Sequence, residues 1–361
     1  MAVISCTSGL ISNTDPMPKI AVIIVSWNSG PFLSKCLSAL KKQIFQEFRT
    51  IVIHNGEFDD TLISAQAALK SAEIICLGEN KGFAAGNNVA VQLVKNCDWI
   101  ALLNPDAFPE PDWLGNLVKA TIAYPEYSFF GSRLVVANNP KLLDGVGDAY
   151  HTSGLVWRRG HGSTAINNYV ESEEIFSPCA AAALYRTDAF LEVGGFDEDF
   201  FCYVEDVDLG FRMRLAGHRC LYVPDAVVAH VGSASTGRHS DFSVYHGHRN
   251  IVWTYLKNMP FPLFCIYLPQ HLILNVISII WFAMLGQGKV ILNAKIDAVK
   301  GIPAMLKKRR TIQHNTKINA SDIRAIMDKG FPGTVVLLGL INKIAYFIKD
   351  AVKGRLNSKP T

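Results

Sequence analysis

Between Lys257 and Lys289 the chain holds no Asp, Glu, Lys or Arg, and before Lys19 it holds no basic residue. It also lacks any Cys-x-x-Cys pair. Each gap excludes something. The eight cysteines, at 6, 36, 76, 97, 179, 202, 220 and 265, show no zinc-ligand spacing with each other or with histidine, so no structural zinc site is expected. Several, Cys76 and Cys265 among them, lie in apolar runs and read as small buried hydrophobes, which fits a reducing compartment. The first residues have neither an early cation nor a continuous apolar core. They read as a polar leader over 1–18, not as a secretory signal. Nothing in the composition suggests disorder, and 361 residues allow an ample core in one large or two smaller domains.

Charge is unevenly spread. Residues 1–285 carry 20 Lys/Arg against 27 Asp/Glu, and residues 286–361 carry 15 against 4. A basic tail of that size suggests anionic lipid or nucleic acid.

The stretch that organises the chain is Asn104-Pro105-Asp106. The apolar run 99–103 reads as a buried strand, and Pro105 cannot continue it. Asp106 is thereby presented in a loop at the strand's carboxyl end, where open α/β sheets bind ligands. A carboxylate there suits a hard cation carrying phosphate oxygens; taken alone, the same three residues also make a good turn. Residues 19–26 form a strand apolar on both faces, and Pro31 starts a helix. A second strand runs over 48–54, a helix over about 60–71, and a third strand over 73–77. The stretch Asn80-Lys81-Gly82-Phe83-Ala84-Ala85-Gly86-Asn87-Asn88 opens a helix reaching about 95. It is not GxGxxG. Its glycines permit either close approach of a ligand to backbone or tight packing of helix on strand. This alternation gives an α/β nucleotide-binding half over 19–107.

A further strand is expected over 129–136. Residues 138–175 are turn-rich and bring His151, Trp157, Arg158, Arg159 and His161 together; the arginine pair either meets a phosphate or is solvated. Residues 194–210 are densely acidic. Apolar residues flank Asp206 and Asp208, and a helix follows. Asp206 near its start would be favoured as an anion by the dipole. One carboxylate there would serve as a general base, with its neighbours holding cations or capping the helix; the alternative is that all are caps and ion pairs. Strands at 219–223 and 227–230 are separated by Pro224-Asp225. His230 ends the second, beside Gly232 and Ser233, and is either a core histidine or the completion of a metal site begun by Asp106.

The order of these motifs resembles the inverting glycosyltransferases of family 2, with the GT-A fold, especially rhamnosyltransferase-like bacterial members. The resemblance spans about residues 19–315. It rests on residues 25–30, on 80–88, on Leu103-Asn104-Pro105-Asp106, and on Gly194-Gly195-Phe196-Asp197-Glu198 running on to Glu205-Asp206-Val207-Asp208. It implies a Rossmann-like, mostly parallel mixed sheet covered by helices. It implies that Asp106 and His230 bind Mn²⁺ or Mg²⁺ on the diphosphate, and that Asp206 deprotonates the acceptor hydroxyl with Glu205 and Asp208 in support. Ser26, Trp27, Asn28, His54 and Asn55 would hold the donor nucleotide, with Lys81, Gly82, Phe83, Gly86, Asn87 and Asn104. His54 stands where the family usually has Asp, which leaves the nucleobase open among dTDP-, UDP- and GDP-sugars. L-Rhamnose is the sugar the resemblance suggests, and the acceptor would be a cell-surface glycan or lipid-linked. Two other classes stay in view. A sugar nucleotidyltransferase would show a basic Gly-rich loop after the first strand, and Trp27-Asn28-Ser29-Gly30-Pro31 has no cation. A non-catalytic sugar-nucleotide or partner-binding module is suggested only by His54.

A catalytic domain is expected over 19–256, its acceptor half at 108–256, and a basic, apolar helical region over 257–361. The apolar stretch 262–286 is long enough to span a bilayer, but Pro269, Gln270, His271 and Asn275 interrupt it. A single span would put the Lys307-Lys308-Arg309-Arg310 run on the wrong side for the positive-inside tendency. A second apolar stretch lies at 331–348. Helices lying in or dipping into the cytoplasmic leaflet are therefore expected, held to anionic lipid by basic residues. That makes the protein peripheral or monotopic on the cytoplasmic face of the plasma membrane. A buried helical subdomain is the alternative, and no nucleic acid partner is expected, because stacking motifs of an RNA module are absent.

Overall fold

The computed structural model describes residues 19–57, 59–165, 167–232 and 240–329. The leader, Ser233 and the stretch 331–348 lie outside the described residues. The first strand, β1 (Ile20–Ser26), is buried at every position. Its alternate residues feed two cores: Ile20, Val22 and Ile24 face one side of the sheet, and Ala21, Ile23 and Val25 the other. This is the period-two alternation of a strand covered on both faces. Pro31 opens α1 (Pro31–Leu40), which buries Leu33, Cys36, Leu37 and Leu40. Then follow β2 (Phe48–His54), α2 (Thr61–Ala68), β3 (Glu73–Cys76), α3 (Gly82–Leu93) and β4 (Trp99–Leu103). Strands β1 to β4 are mutually parallel where they pair. The helices stop slightly short of the sequence reading, because Leu69 turns extended and Val94 leaves helical geometry.

The second half adds β5 (Ala107–Pro109), α4 (Trp113–Ala123), β6 (Phe129–Val136), β7 (Asn139–Gly145), β8 (Asp148–Tyr150), β9 (Val156–Arg158) and β10 (Glu173–Glu174). After these come β11 (Ala182–Arg186), α5 (Thr187–Glu192), α6 (Glu205–Leu215) and β12 (Cys220–His230). The sheet order is β10-β12-β6-β11-β4-β1-β2-β3, with β5 on β12 and β7 on β6. Strand β11 is antiparallel to both β4 and β6, so the sheet is mixed. The stretch expected as turns over 138–175 carries four strands, β7 to β10. Pro224 and Asp225 do not divide two strands: β12 runs through them with a register shift between Val223 and Val227, as a bulge allows.

The helices beyond are α7 (Asp241–Asn258), α8 (Phe261–Met284), α9 (Gly288–Lys300), α10 (Ile302–His314) and α11 (Ala320–Ile326). Helix α7 runs across the boundary expected at 256 and buries Lys257 and Asn258. Cys76 and Cys265 are exposed, not buried: β3 is an edge strand, and Cys265 lies on the outward side of α8.

Candidate active site

A cleft of about 630 Å³ opens beyond the carboxyl ends of β1, β2, β4 and β12. Its position follows from chain reversal: β1 and β4 run parallel, and β11 enters against β4, so the loops after β1 and β4 diverge there. Asn104 and Ala107 close a turn, with the Ala107 amide donating to the Asn104 carbonyl at 3.1 Å. The turn reading and the ligand reading of Asn104-Pro105-Asp106 thus meet in one place, because the turn aims Asp106 into the cleft.

Asp106 meets His230 there. His230 Nε2 lies 3.4 Å from Asp106 Oδ1, and His230 Nδ1 is 2.7 Å from Asp144 Oδ2. The Asp144 contact fixes Nδ1 as the donor and leaves Nε2 turned to Asp106. His230 is 4% exposed and its Nε2 has no hydrogen-bond partner. Burial works against an imidazolium, but the approach of Asp106 and the bond to Asp144 outweigh it and raise the pKa of His230. Burial also opposes ionisation of Asp144; the His230 bond and the charge of Arg158, 2.7 Å away, prevail and hold its carboxyl far below the usual range.

A second acidic group faces this one across Arg158. Asp148 lies 3.8 Å from Arg158 Nε. Ligand atoms of Asp148, Cys179 and Asp206 all fall within 4.8 Å of one another. Asp206 Oδ2 accepts from the Ala180 amide at 3.1 Å. Burial raises the pKa of Asp206 despite that bond and the charge of Arg158. Burial, then the charge of Asp206, pushes Asp148 up to about 8. Burial and Asp206 also push Glu205 well up. A carboxyl raised by its surroundings suits proton transfer near neutral pH.

Of the nucleotide, metal and base residues expected from the sequence, Trp27, Asn55, Phe83, Asn104, Asp106, Glu205, Asp206 and His230 line the cleft, as do Trp157, Arg158 and His161 of the stretch read as turns. The other expected site residues do not. Asp208 is fully buried, and its oxygens accept from Arg212 Nε at 2.8 Å, Lys257 Nζ at 2.9 Å and Asn258 Nδ2 at 2.8 Å. It is an ion-pair centre beneath the site, out of an acceptor's reach. His54 is buried, with Nε2 2.6 Å from the Glu57 carbonyl. Ser26 Oγ is paired with Ser29 Oγ at 2.6 Å, and Asn28 sits at φ 47° in the turn beside them. Asn87 caps inward on the Phe83 carbonyl at 2.9 Å. Gly86 is a packing glycine, since a Cβ there would stand 2.7 Å from Val25 Cγ1. Gly82 and Lys81 act through backbone: Asn55 bonds the Gly82 carbonyl at 2.9 Å and the Lys81 amide at 2.9 Å. Arg159 pairs with Glu173 at 2.9 Å, whereas Arg158 enters the cleft.

Sequence reasoning missed Asp144 and Asp148, which sit in the region read as turns. Their signal was weak: two acids four apart with glycines at 145 and 147. It also missed Asn250, whose side chain is fully buried and donates to the carbonyls of Phe200, Cys202 and Tyr203 at 3.0, 3.0 and 2.7 Å.

The cleft at the carboxyl ends of this mixed sheet thus gathers acids, a histidine and aromatic side chains in one place. The family model "Glycosyltransferase like family 2" matches residues 18–252. The chain belongs to that family and is a glycosyltransferase, moving a sugar from a nucleotide sugar. It is 30% identical over 247 residues to the N-acetylglucosaminyl-diphospho-decaprenol L-rhamnosyltransferase of Mycobacterium tuberculosis, covering 62% of this chain and 79% of the relative. It is 30% identical over 217 residues to the rhamnosyltransferase WbbL of Escherichia coli K12, covering 57% and 80%. The O-antigen chain rhamnosyltransferase RfbN of Salmonella typhimurium is 28% identical over 245 residues, covering 63% and 72%. Among solved structures, the mannosyltransferase PcManGT of Pyrobaculum calidifontis, in complex with GDP-Man and Mn²⁺, superposes with a TM-score of 0.52 at 16% identity, covering 83% and 84% of the chains. GalNAc-T7 with UDP, GalNAc and Mn²⁺ gives 0.55 at 15%, covering 67% of this chain and 48% of that one. These place the fold as GT-A-like.

Proposed function

We propose that the chain transfers L-rhamnose from a nucleoside-diphosphate donor, dTDP-rhamnose first among the candidates, to a hydroxyl of a lipid-linked glycan at the cytoplasmic face of the plasma membrane. The convergence of Asp106, His230 and Asp206 on one cleft carries this reading. The rhamnosyltransferase relatives support the sugar, and the decaprenol-linked substrate in one relative's name supports the lipid.

The donor set fits a divalent cation. His230 offers an unpartnered buried nitrogen, and Asp106 a carboxylate beside it. Among the described residues the cleft is lined by Asp106, Asp144, Asp148, Glu205 and Asp206 against one arginine, Arg158. An anionic diphosphate needs a counter-charge to enter such a place. Bound Mn²⁺ or Mg²⁺ would offset the charge of the departing diphosphate. Trp27, Asn55 and Phe83 bind the nucleotide side, and Trp157, Tyr203 and Phe242 the acceptor side. Asp206 accepts the proton of the acceptor hydroxyl as that oxygen bonds to the anomeric carbon. The bond from that carbon to the diphosphate oxygen breaks on the opposite face, and the nucleoside diphosphate leaves with the electron pair. One displacement inverts the configuration. Glu205 and Asp148 set the charge around Asp206, and Asp208 anchors its helix from below.

The test couples turnover to donor binding. Asp206→Asn is expected to lower transfer by about 10³-fold, within the span of general-base losses, while the metal-dependent thermal shift given by the donor persists. Asp106→Ala is expected to lose that shift. Normal turnover in Asp206→Asn overturns the base; no shift with dTDP-, UDP- or GDP-sugars in the wild type overturns the donor class.

A further inference from the structure

We propose that α8 lies flat on an anionic bilayer along its whole outer side, without crossing it, and that this brings the mouth of the cleft to the lipid surface. The inference rests on the reading of a lipid-linked acceptor and says how that acceptor reaches Asp206.

Among the described residues α8 alone is long and apolar enough to cross a membrane, and only 22% of its most apolar window is buried. Its exposed residues Ile266, Ile273, Ile277, Ile280 and Met284 recur at helical spacing, which makes one stripe along ~27 Å of helix. The opposite side is tied at intervals to α11, to the catalytic body and to α9. Tyr267 OH accepts from Arg324 Nε at 2.7 Å. His271 stacks on Tyr255 at 4.0 Å between centroids and lies 2.8 Å from the Ser153 carbonyl. Asn275 Oδ1 accepts from Lys295 Nζ at 2.6 Å. Just past the helix, Gln287 Nε2 donates to Asp241 Oδ1 at 2.8 Å. His271 and Asn275, two of the polar residues that interrupt the apolar stretch, are thus consumed on the protein side, while Gln270 stays exposed and accepts from Thr152 Oγ1 at 3.3 Å. Crossing the bilayer would break these bonds or carry the attached body into hydrocarbon, where unsatisfied polar groups are too costly.

The next helix makes the same point. Helix α9 reverses the chain and returns along α7, with Trp253 Nε1 donating to the Ala298 carbonyl at 3.0 Å. It exposes Leu292, Ile296 and Val299, with exposed Lys289 and Lys300 at its ends. Helix α10 exposes Leu306, Lys307 and Arg310. The sole acid in α8, α9 and α10 is Asp297, already held by Lys300 at 2.9 Å and Tyr245 at 2.8 Å. A surface of aliphatic side chains edged by cations, with no unpaired carboxylate, complements an anionic leaflet. The Gln287–Asp241 contact sets the α8–α9 turn beside Phe242 and Ser243, which line the cleft. The same contact places the acceptor side of the cleft next to the surface that meets lipid.

The test uses the full chain and vesicles of equimolar phosphatidylcholine and phosphatidylglycerol. Sedimentation is expected to show binding that Ile273→Glu with Ile277→Glu weakens at least ten-fold, while the donor's thermal shift is unchanged. Spin labels at Ile266→Cys, Ile273→Cys and Ile280→Cys, in a variant with Cys6, Cys76, Cys202 and Cys265 replaced by serine, are expected to report one shallow depth at all three positions. A depth that climbs to the bilayer centre and falls again means a span and overturns the proposal. No binding to these vesicles also overturns it, and gives the stripe to a second copy or to residues 331–348. Loss of the donor shift in the wild type would instead defeat the functional reading, which separates the two failures.

Discussion

Asp144 accepts from His230 Nδ1 and from Arg158 Nη1 through the same oxygen, each at 2.7 Å. It touches no reacting atom, yet it decides which nitrogen of His230 faces Asp106. Second partners of this kind are worth about 10–100-fold in metal affinity. Asp144→Ala is therefore expected to raise the Mn²⁺ concentration for half-maximal transfer by that factor, with kcat at saturating Mn²⁺ reduced much less; an unchanged Mn²⁺ requirement would remove Asp144 from the site. Asp148 poses a different question, one of pH. Its carboxyl, ordinarily near 3.8, is pushed up to about 8. A raised carboxyl contributes stability that is full below its unfolded pKa and is lost as pH climbs through the folded one. Asp148→Asn removes that dependence, so its Tm relative to wild type is expected to be a few degrees more favourable at pH 8 than at pH 5. Equal differences at both would mean that Asp148 is not buried as an acid beside Asp206. Asp106, Asp206 and His230 were legible as candidates because each ends or begins a strongly patterned segment. Asp144 and Asp148 were not, because the short strands that carry them have no apolar period to mark which way an acid points.

The turn that precedes Asp206 is the most strained element in the described chain. Phe201, Tyr203 and Val204 all have positive φ, at 63°, 69° and 67°. For a β-branched residue such as Val204 that conformation is an outlier costing on the order of 1–2 kcal/mol. Asn250 holds it from α7, donating to three of its carbonyls. On its other side the turn closes over the glycine-rich motif: the Phe201 carbonyl accepts from Ala84 N at 3.3 Å, and a Cβ on Gly82 would stand 2.6 Å from that oxygen. Donor motif, turn and Asp206 therefore move together. Asn250→Ala is expected to cut kcat by roughly 10²-fold, the cost of a small misplacement, with the donor KM within about twofold. Val204→Gly relieves the strain, so it is expected to keep or raise Tm while lowering kcat; a turn that is merely structural would keep its turnover in this variant. None of this was visible in the sequence, where Phe200 to Val204 look like ordinary aromatic and aliphatic residues before a helix. The parallel strands were visible, since burial on both faces leaves a continuous apolar run, whereas β7 and β10 add short pairings to the sheet, β8 and β9 pair with each other apart from it, and none leaves such a run.

Charge ties the whole molecule together in a way its totals conceal. The basic tail looked free to meet an anionic partner, but part of it is spent internally. Lys308 of α10 pairs with Asp199 Oδ2 at 2.7 Å and also reaches Asp197. Arg309 donates to the Leu256 carbonyl at 2.8 Å. Lys257 of α7, 1% exposed, joins Asp197 and Asp208. Two acidic segments of the catalytic half are thereby neutralised by cations from the helices that follow it. Among the described residues of α9 and α10, Lys289, Lys307 and Arg310 are left facing outward, which is why a count of tail charges could not tell a membrane surface from a buried subdomain. The energetic weights of the two lysines differ. Removing one partner of a buried pair costs about 3–5 kcal/mol, because it strands the other charge, whereas a half-exposed pair is worth about 1 kcal/mol or less. Lys257→Met is thus expected to lower Tm by roughly 10 °C and Lys308→Met by roughly 2 °C. Thermal unfolding of the wild type and the two variants checks this. If Lys257→Met and Lys308→Met cost the same, the buried junction does not hold the halves together, and the helices after 257 are an appendage. If the ranking holds, a chain cut before Lys257 leaves Asp197 without either lysine and Asp208 with Arg212 alone, and the catalytic half should not survive alone.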